Sequence, residues 1–308
     1  MKRLIPLLLL ALALGLQASA QHVETHPFVQ RDSTLFLDVH RPASPRPDRA
    51  CVISLFGGGF VSGGRADELQ VPIAQLLTER GFTVVCIDYR LGLKDSAMVA
   101  RYSGLLHMQD LFQYCIDIAV EDCAAACAWV VDHADQLGID PSRIILTGSS
   151  AGAITVLMTD FCRANAMPQA AALPRHWMPA AVVPYAGALL CRRGELAYNT
   201  PPAPTMMLHG MKDKVVAYKK MAPIISRNLY GSHRVAKVMA KQSIPHWIIR
   251  FPGIGHEVAT WLPGSVDLFC AFVNQALDGR ITTLDATMTD SKLLPTRWTT
   301  MTLKDLYN

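Results

Sequence analysis

Charge is scarce in this chain of 308 residues, and what there is never gathers. Asp, Glu, Lys and Arg together make up 18% of the residues, the formal net charge is +4, and the basic residues are scattered. The basic arm or stripe that holds nucleic acid is therefore excluded, as is the polar, self-repelling composition of a disordered chain. Past residue 20 no apolar stretch is both long enough and free enough of charge to make a membrane helix, which needs about 20 residues. No long polar tract breaks the sequence. With apolar residues at 51%, the composition is that of a compact globular protein. Eight cysteines are present, but not in the pattern of a disulfide framework. Cys51 and Cys86 lie in apolar strand-like runs, and Cys123 and Cys127 are one helical turn apart among alanines. They read as small buried hydrophobes, mostly free thiols, with one or two bridges still open.

Residues 1–20 read as a secretory leader, with Lys2-Arg3 as the basic start, an apolar run from Leu4 to Leu16, and Ala18-Ser19-Ala20 as the cleavage site. Gln21 is the expected mature start. The run is short for an anchor, and no cysteine follows it to carry a lipid. The expected product is a soluble exported protein with a single domain over 21–308.

Two short strands at 26–30 and 34–39, around Arg31-Asp32-Ser33, suggest an opening hairpin. Short β-branched or apolar runs follow at 51–56, 83–88, 143–148, 181–185, 205–209 and 246–251. Between them, 67–80 and 121–137 carry apolar residues at helical spacing, with Gly81 and Gly138 placed as stops. This alternation predicts an α/β fold, a mostly parallel sheet with helices on both faces and ligands beyond the carboxyl ends of its strands. Residues 90–114 and 161–178 interrupt the alternation and are candidates for small cap segments. The threonine-rich stretch 281–308 has weak periodicity and reads as a packed arm.

Gly148-Ser149-Ser150-Ala151-Gly152 follows the apolar run Ile144-Ile145-Leu146 and opens a helix-like segment. Strand, tight turn and helix make an elbow that exposes a serine hydroxyl, and small neighbours let the turn close. Ser150 is the candidate nucleophile, and Ser149 is expected to turn away from substrate. Gly57-Gly58-Gly59, after the strand at 51–56, is placed to turn backbone N–H groups toward a tetrahedral oxyanion. The N–H of Ala151, just past the nucleophile, would be a further donor. Asp213 follows the strand-like run ending in Leu208-His209, and His256 follows the last such run. Ser150, Asp213 and His256 thus stand in the chain order of a nucleophile, an orienting acid and a base. Glu257 adjoins the histidine, could not face its ring, and reads as a solvated charge.

From about residue 51 to 271 the chain resembles the α/β-hydrolase esterases, the group that joins carboxylesterases, hormone-sensitive-lipase-like enzymes and secreted feruloyl-esterase-like proteins. The likeness rests on Gly57-Gly58-Gly59-Phe60, Asp88-Tyr89-Arg90-Leu91, Glu121-Asp122, Gly138 to Arg143, Gly148 to Gly152, His209-Gly210 with Asp213, and Gly255-His256. It implies the α/β-hydrolase fold, Ser150 as nucleophile, His256 as base, Asp213 as acid, and an oxyanion hole of Gly58, Gly59 and Ala151. Such relatives usually carry histidine before the triple glycine, where this chain has Phe56. Altered loop support and an altered pocket edge are expected, with Phe56 and Phe60 as the first candidates for substrate contact. Asp88-Tyr89-Arg90 is expected to be structural. The reading is an exported serine esterase needing no metal or organic cofactor, with a small-molecule or oligosaccharide ester as partner, no nucleic acid, and no membrane after leader removal. Acetyl or feruloyl esters of plant polysaccharide are the expected substrates. Short acyl groups are expected over long ones, since no long insertion could form a lipase lid. A non-catalytic binding protein on the same scaffold and a small serine peptidase are the rival readings.

Overall fold

The computed structural model describes residues 23–102, 108–192, 194–224, 227–289 and 292–306; the expected leader lies outside them. Twelve strands are described: β1 Val23–Gln30, β2 Thr34–His40, β3 Cys51–Leu55, β4 Thr83–Ile87, β5 Ile144–Ser149, β6 Ala181–Tyr185, β7 Ala188–Arg192, β8 Thr205–Gly210, β9 Lys220–Ile224, β10 Arg227–Gly231, β11 His246–Phe251 and β12 Leu284–Thr287. The main helices are α1 Gln70–Glu79, α2 Ser96–Arg101, α3 Met108–Asp132, α4 Ala134–Leu137, α5 Ala151–Ala164, α6 Ser232–Lys241 and α7 Val266–Leu277. Among the described residues no helix is long and apolar enough to cross a membrane.

Nine strands form one sheet in the order β1-β2-β4-β3-β5-β6-β8-β11-β12. The opening hairpin pairs antiparallel and joins β4 antiparallel, while the pairs from β4 through β12 are parallel. β3, β4 and β6 are buried along their whole length, as strands covered on both faces must be. Successive residues alternate between two apolar layers. Ile53, Leu146 and Val182 pack with the α3, α5 and α6 side chains Val130, Ile154 and Val235, whereas Val52, Ile145 and Val183 pack with Leu77 of α1 and Phe269 of α7. The chain runs from β3 to β4 on one side and returns to β5 on the other, so the order reverses at β3, where α/β sheets open a crevice.

Three features depart from the sequence reading. A second, antiparallel sheet of β7, β10 and β9 stands apart from the main one. Helix α3 is far longer than the span expected from 121, beginning at Met108. The expected arm begins as β12, which pairs parallel with β11 at the sheet edge before the chain continues to the site. Of the two cap candidates, residues 103–107 lie outside the described residues. Phe161, Met167 and Gln169 of the second border a separate cavity of about 490 Å³ that does not contain Ser150. Asp88-Tyr89-Arg90 is structural: Asp88 pairs with Arg65 at 2.6 Å, and Arg90 pairs with the fully buried Asp122 at 2.8 Å.

All eight cysteines are free, six of them buried. Burial pushes the Cys115 and Cys162 thiols up to about 12, so little nucleophilic thiolate exists near neutral pH. Titration with a thiol reagent should find eight thiols after unfolding without reductant. In the folded protein Cys270 should react first; Cys191 is partly exposed too, but burial pushes its thiol up to about 12, and it should lag behind. Fewer than eight in the unfolded chain would mean a bridge.

Candidate active site

The elbow owes its shape to close contact between backbones. A Cβ added to Gly148 would stand 2.5 Å from the carbonyl carbon of Gly152, and one on Gly152 would stand 2.4 Å from the carbonyl oxygens of Leu55 and Phe56. Only glycine permits either approach. With both turns closed, Ser150 is held at φ 50° and ψ −113°, a strained conformation for a residue with a side chain. Its N–H donates to the Tyr185 carbonyl at 3.0 Å, and its own carbonyl accepts the first bond of α5 from Ile154. The hydroxyl stands at the start of α5, where the first N–H groups lack carbonyl partners within the helix and the dipole favours negative charge.

His256 and Asp213 come from the ends of β11 and β8. The Asp213 carboxylate can only accept, so His256 donates Nδ1–H to Asp213 Oδ2 at 2.7 Å. The unprotonated Nε2 then accepts the Ser150 hydroxyl at 2.8 Å. Asp213 Oδ1 accepts the N–H groups of Val215 and Val216, both at 2.9 Å, which fixes the carboxylate in direction. All three triad side chains are buried or nearly so.

A second histidine, which the sequence reading used only as a family marker, shares that carboxylate. His209 is fully buried and its Nε2 lies 3.3 Å from Asp213 Oδ2 and 2.8 Å from the Val216 carbonyl. Both neighbours only accept, so Nε2 carries the proton, and Nδ1 accepts the Ser232 hydroxyl at 2.8 Å. His209 therefore steadies the same Asp213 oxygen that accepts from His256. Burial by itself raises the Asp213 carboxyl. Electrostatic attraction to His256 and the hydrogen bonds from His209 and His256 outweigh it and hold the carboxyl at about 2.

The glycine loop crosses in front of Ser150. Gly58 and Gly59 have φ of 111° and 62°, and the Gly58 carbonyl accepts from the N–H groups of Val61 and Ser62, which closes the loop into a tight turn. Gly57, Gly58 and Gly59 border a cleft of about 240 Å³ with Ser150, His256 and Trp298. Phe60 continues the loop at φ 61° and borders, with Ala151, a second and much smaller void on the other side of Ser150. Among the described residues no group of three His, Cys, Asp or Glu side chains comes together to hold a metal ion.

Three expectations are corrected here. Phe56 does not border the cleft: its ring stacks on Tyr89 with centroids 4.3 Å apart, and a Cβ on Gly63 would come 2.5 Å from it. The Tyr89 hydroxyl donates to the Phe56 carbonyl at 2.8 Å, so the phenylalanine supports the glycine loop from below. Ser149 does not turn away; it borders the cleft. Glu257 is not solvated but 5% exposed, with hydrogen bonds to both carboxylate oxygens.

The model of the carboxylesterase family matches residues 15–166. This chain has the α/β-hydrolase fold. The chain resembles Lipase 2 of Moraxella sp. (strain TA144), with 32% identity over 105 residues, 34% of this chain and 20% of that protein. It is also similar to the para-nitrobenzyl esterase of Bacillus subtilis (strain 168), with 27% identity over 128 residues, 41% of this chain and 24% of the other. The alignments thus span about a quarter or less of the length of these curated relatives. Among solved structures, esterase 2 of Thermogutta terrifontis phosphoramylated by tabun superposes with a TM-score of 0.60 at 20% identity, covering 84% of this chain and 96% of that one. The likeness in fold therefore extends well beyond the stretch aligned by sequence.

The lowered carboxyl of Asp213 links the protein's stability to pH. Its ordinary value is 3.8 and its folded value about 2, so the ionised group favours the folded state throughout the range above about 4. That contribution, on the order of 2 kcal/mol, drains away as the pH falls from about 4 toward 2. Urea midpoints should fall through that window in the native sequence. Asp213→Asn should be less stable at pH 7 and show a shallower fall, and equal slopes in the two proteins would refute the linkage.

Proposed function

We propose that the protein is a serine esterase that cleaves carboxylic esters through an acyl-enzyme. The observation that carries this reading is the continuous chain of hydrogen bonds from Ser150 through His256 to Asp213, opening on a cleft bordered by the glycine loop. The family match and the esterase and lipase names of its relatives support it.

In this reading Ser150 Oγ attacks the ester carbonyl carbon while its proton passes to His256 Nε2. Asp213 stabilises the imidazolium and keeps the ring in place. The carbonyl oxygen, now an oxyanion, faces the N–H groups of Gly58, Gly59 and Ala151, which are fixed before reaction and need no reorganisation. Collapse of the tetrahedral species breaks the bond to the alcohol oxygen, which takes the proton from His256. Water, deprotonated by the same nitrogen, then attacks the acyl-enzyme; the bond to Ser150 Oγ breaks, Oγ takes the proton back from His256, and the acid is released. The leader-like residues 1–20 favour export. On the resemblance to feruloyl-esterase-like proteins, acetyl or feruloyl esters of plant polysaccharide are the natural substrates to examine.

Purified protein should hydrolyse p-nitrophenyl acetate, and Ser150→Ala should lower turnover by roughly 10³ to 10⁶ with the fold intact. Ser149→Ala should cost far less, because the hydrogen bond from His256 runs to Ser150. Asp213→Asn should lower kcat by about 10² to 10⁴, since the amide favours the wrong tautomer of His256. Near-native turnover by the Ser150 variant would reject the mechanism.

A further inference from the structure

Two spaces meet at Ser150, and they differ in size and chemistry. The cleft of about 240 Å³ contains His256, Ser62, Asp67 and Thr260 and is partly polar. The other void is about 20 Å³, room for a single water-sized or methyl-sized group. It is walled by Phe60, Phe112, Ile154, Val215, Leu229 and Leu306, and His256 does not border it. In ester cleavage the leaving oxygen must sit against His256, which returns its proton. The alcohol therefore belongs in the larger cleft and the acyl group in the small slot.

The stretch 292–306 closes both spaces: Trp298 and Leu306 border the cleft, and Leu306 also borders the slot. Glu257 holds that stretch in place. Its Oε1 accepts the Thr296 N–H at 2.7 Å, the Thr296 hydroxyl at 2.9 Å and the Thr299 hydroxyl at 2.6 Å, while Oε2 accepts the Gly255 N–H at 2.7 Å. The contact continues through backbone, since a Cβ on Gly255 would come 2.5 Å from Thr299 Cα. Farther on, Thr302 bridges to Lys214, next to Asp213, and the Thr302 N–H and hydroxyl donate to Asp305. The Trp298 ring lies 5.9 Å from that of His256. Burial raises the Glu257 carboxyl, but the hydrogen bonds from Thr299 and Thr296 prevail and hold it below its ordinary value, which keeps it an acceptor.

We propose that the 292–306 arm, pinned by Glu257, is the specificity wall of the site, and that Leu306 ends the acyl slot at one methyl group, making acetyl esters the substrate class. This rests on the serine esterase reading. It chooses between the two acyl groups considered above, because a feruloyl group carries an aromatic ring that the slot cannot admit. Leu306 is a specificity-determining residue, and Glu257 is a positioning residue that acts through the arm.

The test is kcat/KM for p-nitrophenyl acetate, butyrate and octanoate and for methyl ferulate, with the native protein, Leu306→Ala and Glu257→Gln. The native protein should favour acetate over butyrate by about tenfold or more, since a methylene that does not fit costs at least that much discrimination. Leu306→Ala should raise the butyrate-to-acetate ratio by about tenfold. Glu257→Gln keeps the size of the side chain and should shift the ratio in the same direction, with circular dichroism unchanged. Should Glu257→Gln lower kcat equally on every ester, it merely buttresses His256 and its role as the pin is refuted. Native preference for butyrate, octanoate or ferulate, or an unaltered ratio in a folded Leu306→Ala, overturns the acetyl assignment while leaving the esterase reading in place. If the folded native protein cleaves none of the four, the esterase reading itself fails.

Discussion

Everything at this site depends on the contact of the elbow with the strand beside it. Gly152 presses against the Leu55 and Phe56 carbonyls, which end β3 and begin the glycine loop. One contact therefore sets two distances: how far Ser150 projects from β5, and how near the loop donors come to it. Any larger side chain at Gly148 or Gly152 would move the Ser150 hydroxyl and the N–H groups of the glycine loop apart, so the two cannot be adjusted singly. The core carries this rigidity. Leu55, Ile144 and Ile145 are fully buried, and a close-packed interior transmits a displacement instead of absorbing it.

The two carboxylates beside His256 are buried on different terms, and each suits its task. Asp213 receives two N–H groups on one oxygen and lies between two imidazoles on the other, so its negative charge is held where an imidazolium can form. Glu257 receives only neutral donors, three on one oxygen and one on the other. A carboxylate satisfied in this way has no capacity left to orient a ring, but it organises chain well, because charge-assisted bonds are roughly twice as strong as neutral ones. Adjacent residues thus divide the work: His256 faces the nucleophile, while Glu257 faces the arm that walls the cleft.

What the sequence made legible was the part in which local pattern and local structure coincide. The strands at 51–55, 83–87, 144–149, 181–185, 205–210 and 246–251 are short apolar runs because both of their faces are covered, and such runs are visible without knowing what covers them. The positions of Ser150, Asp213 and His256 at strand ends were equally visible, since each follows one of those runs. The errors came from contacts distant in sequence. Glu257 read as solvated because its partners, Thr296 and Thr299, lie about forty residues on in a stretch with no periodicity of its own. Phe56 read as a pocket residue because its stacking partner Tyr89 lies on another strand's continuation. The small antiparallel sheet escaped notice since its strands are interrupted by β8 and by the Asp213 loop. His209 could have been found: a histidine four residues before the orienting acid, closing a buried strand, is a candidate to share its carboxylate.

Two of the residues with a strained backbone stand at the site itself. Ser150 and Phe60 both carry positive φ with a side chain, each costing on the order of 1–3 kcal/mol. One lies in the elbow turn and the other ends the glycine loop. Neither conformation would persist unless its neighbours over-determined it. Ser150 is held by the Tyr185 carbonyl and the first turn of α5, and Phe60 by its 1% exposure and by the Leu93 N–H, which donates to its carbonyl at 3.1 Å. The same burial that holds Phe60 in its strained conformation makes its ring a wall of the acyl slot. The constraint that aims the oxyanion donors therefore also narrows the space for the acyl group, and widening that slot from the Phe60 side would loosen the donor loop. Relief comes more readily from Leu306, which borders the same space and stands outside the glycine loop.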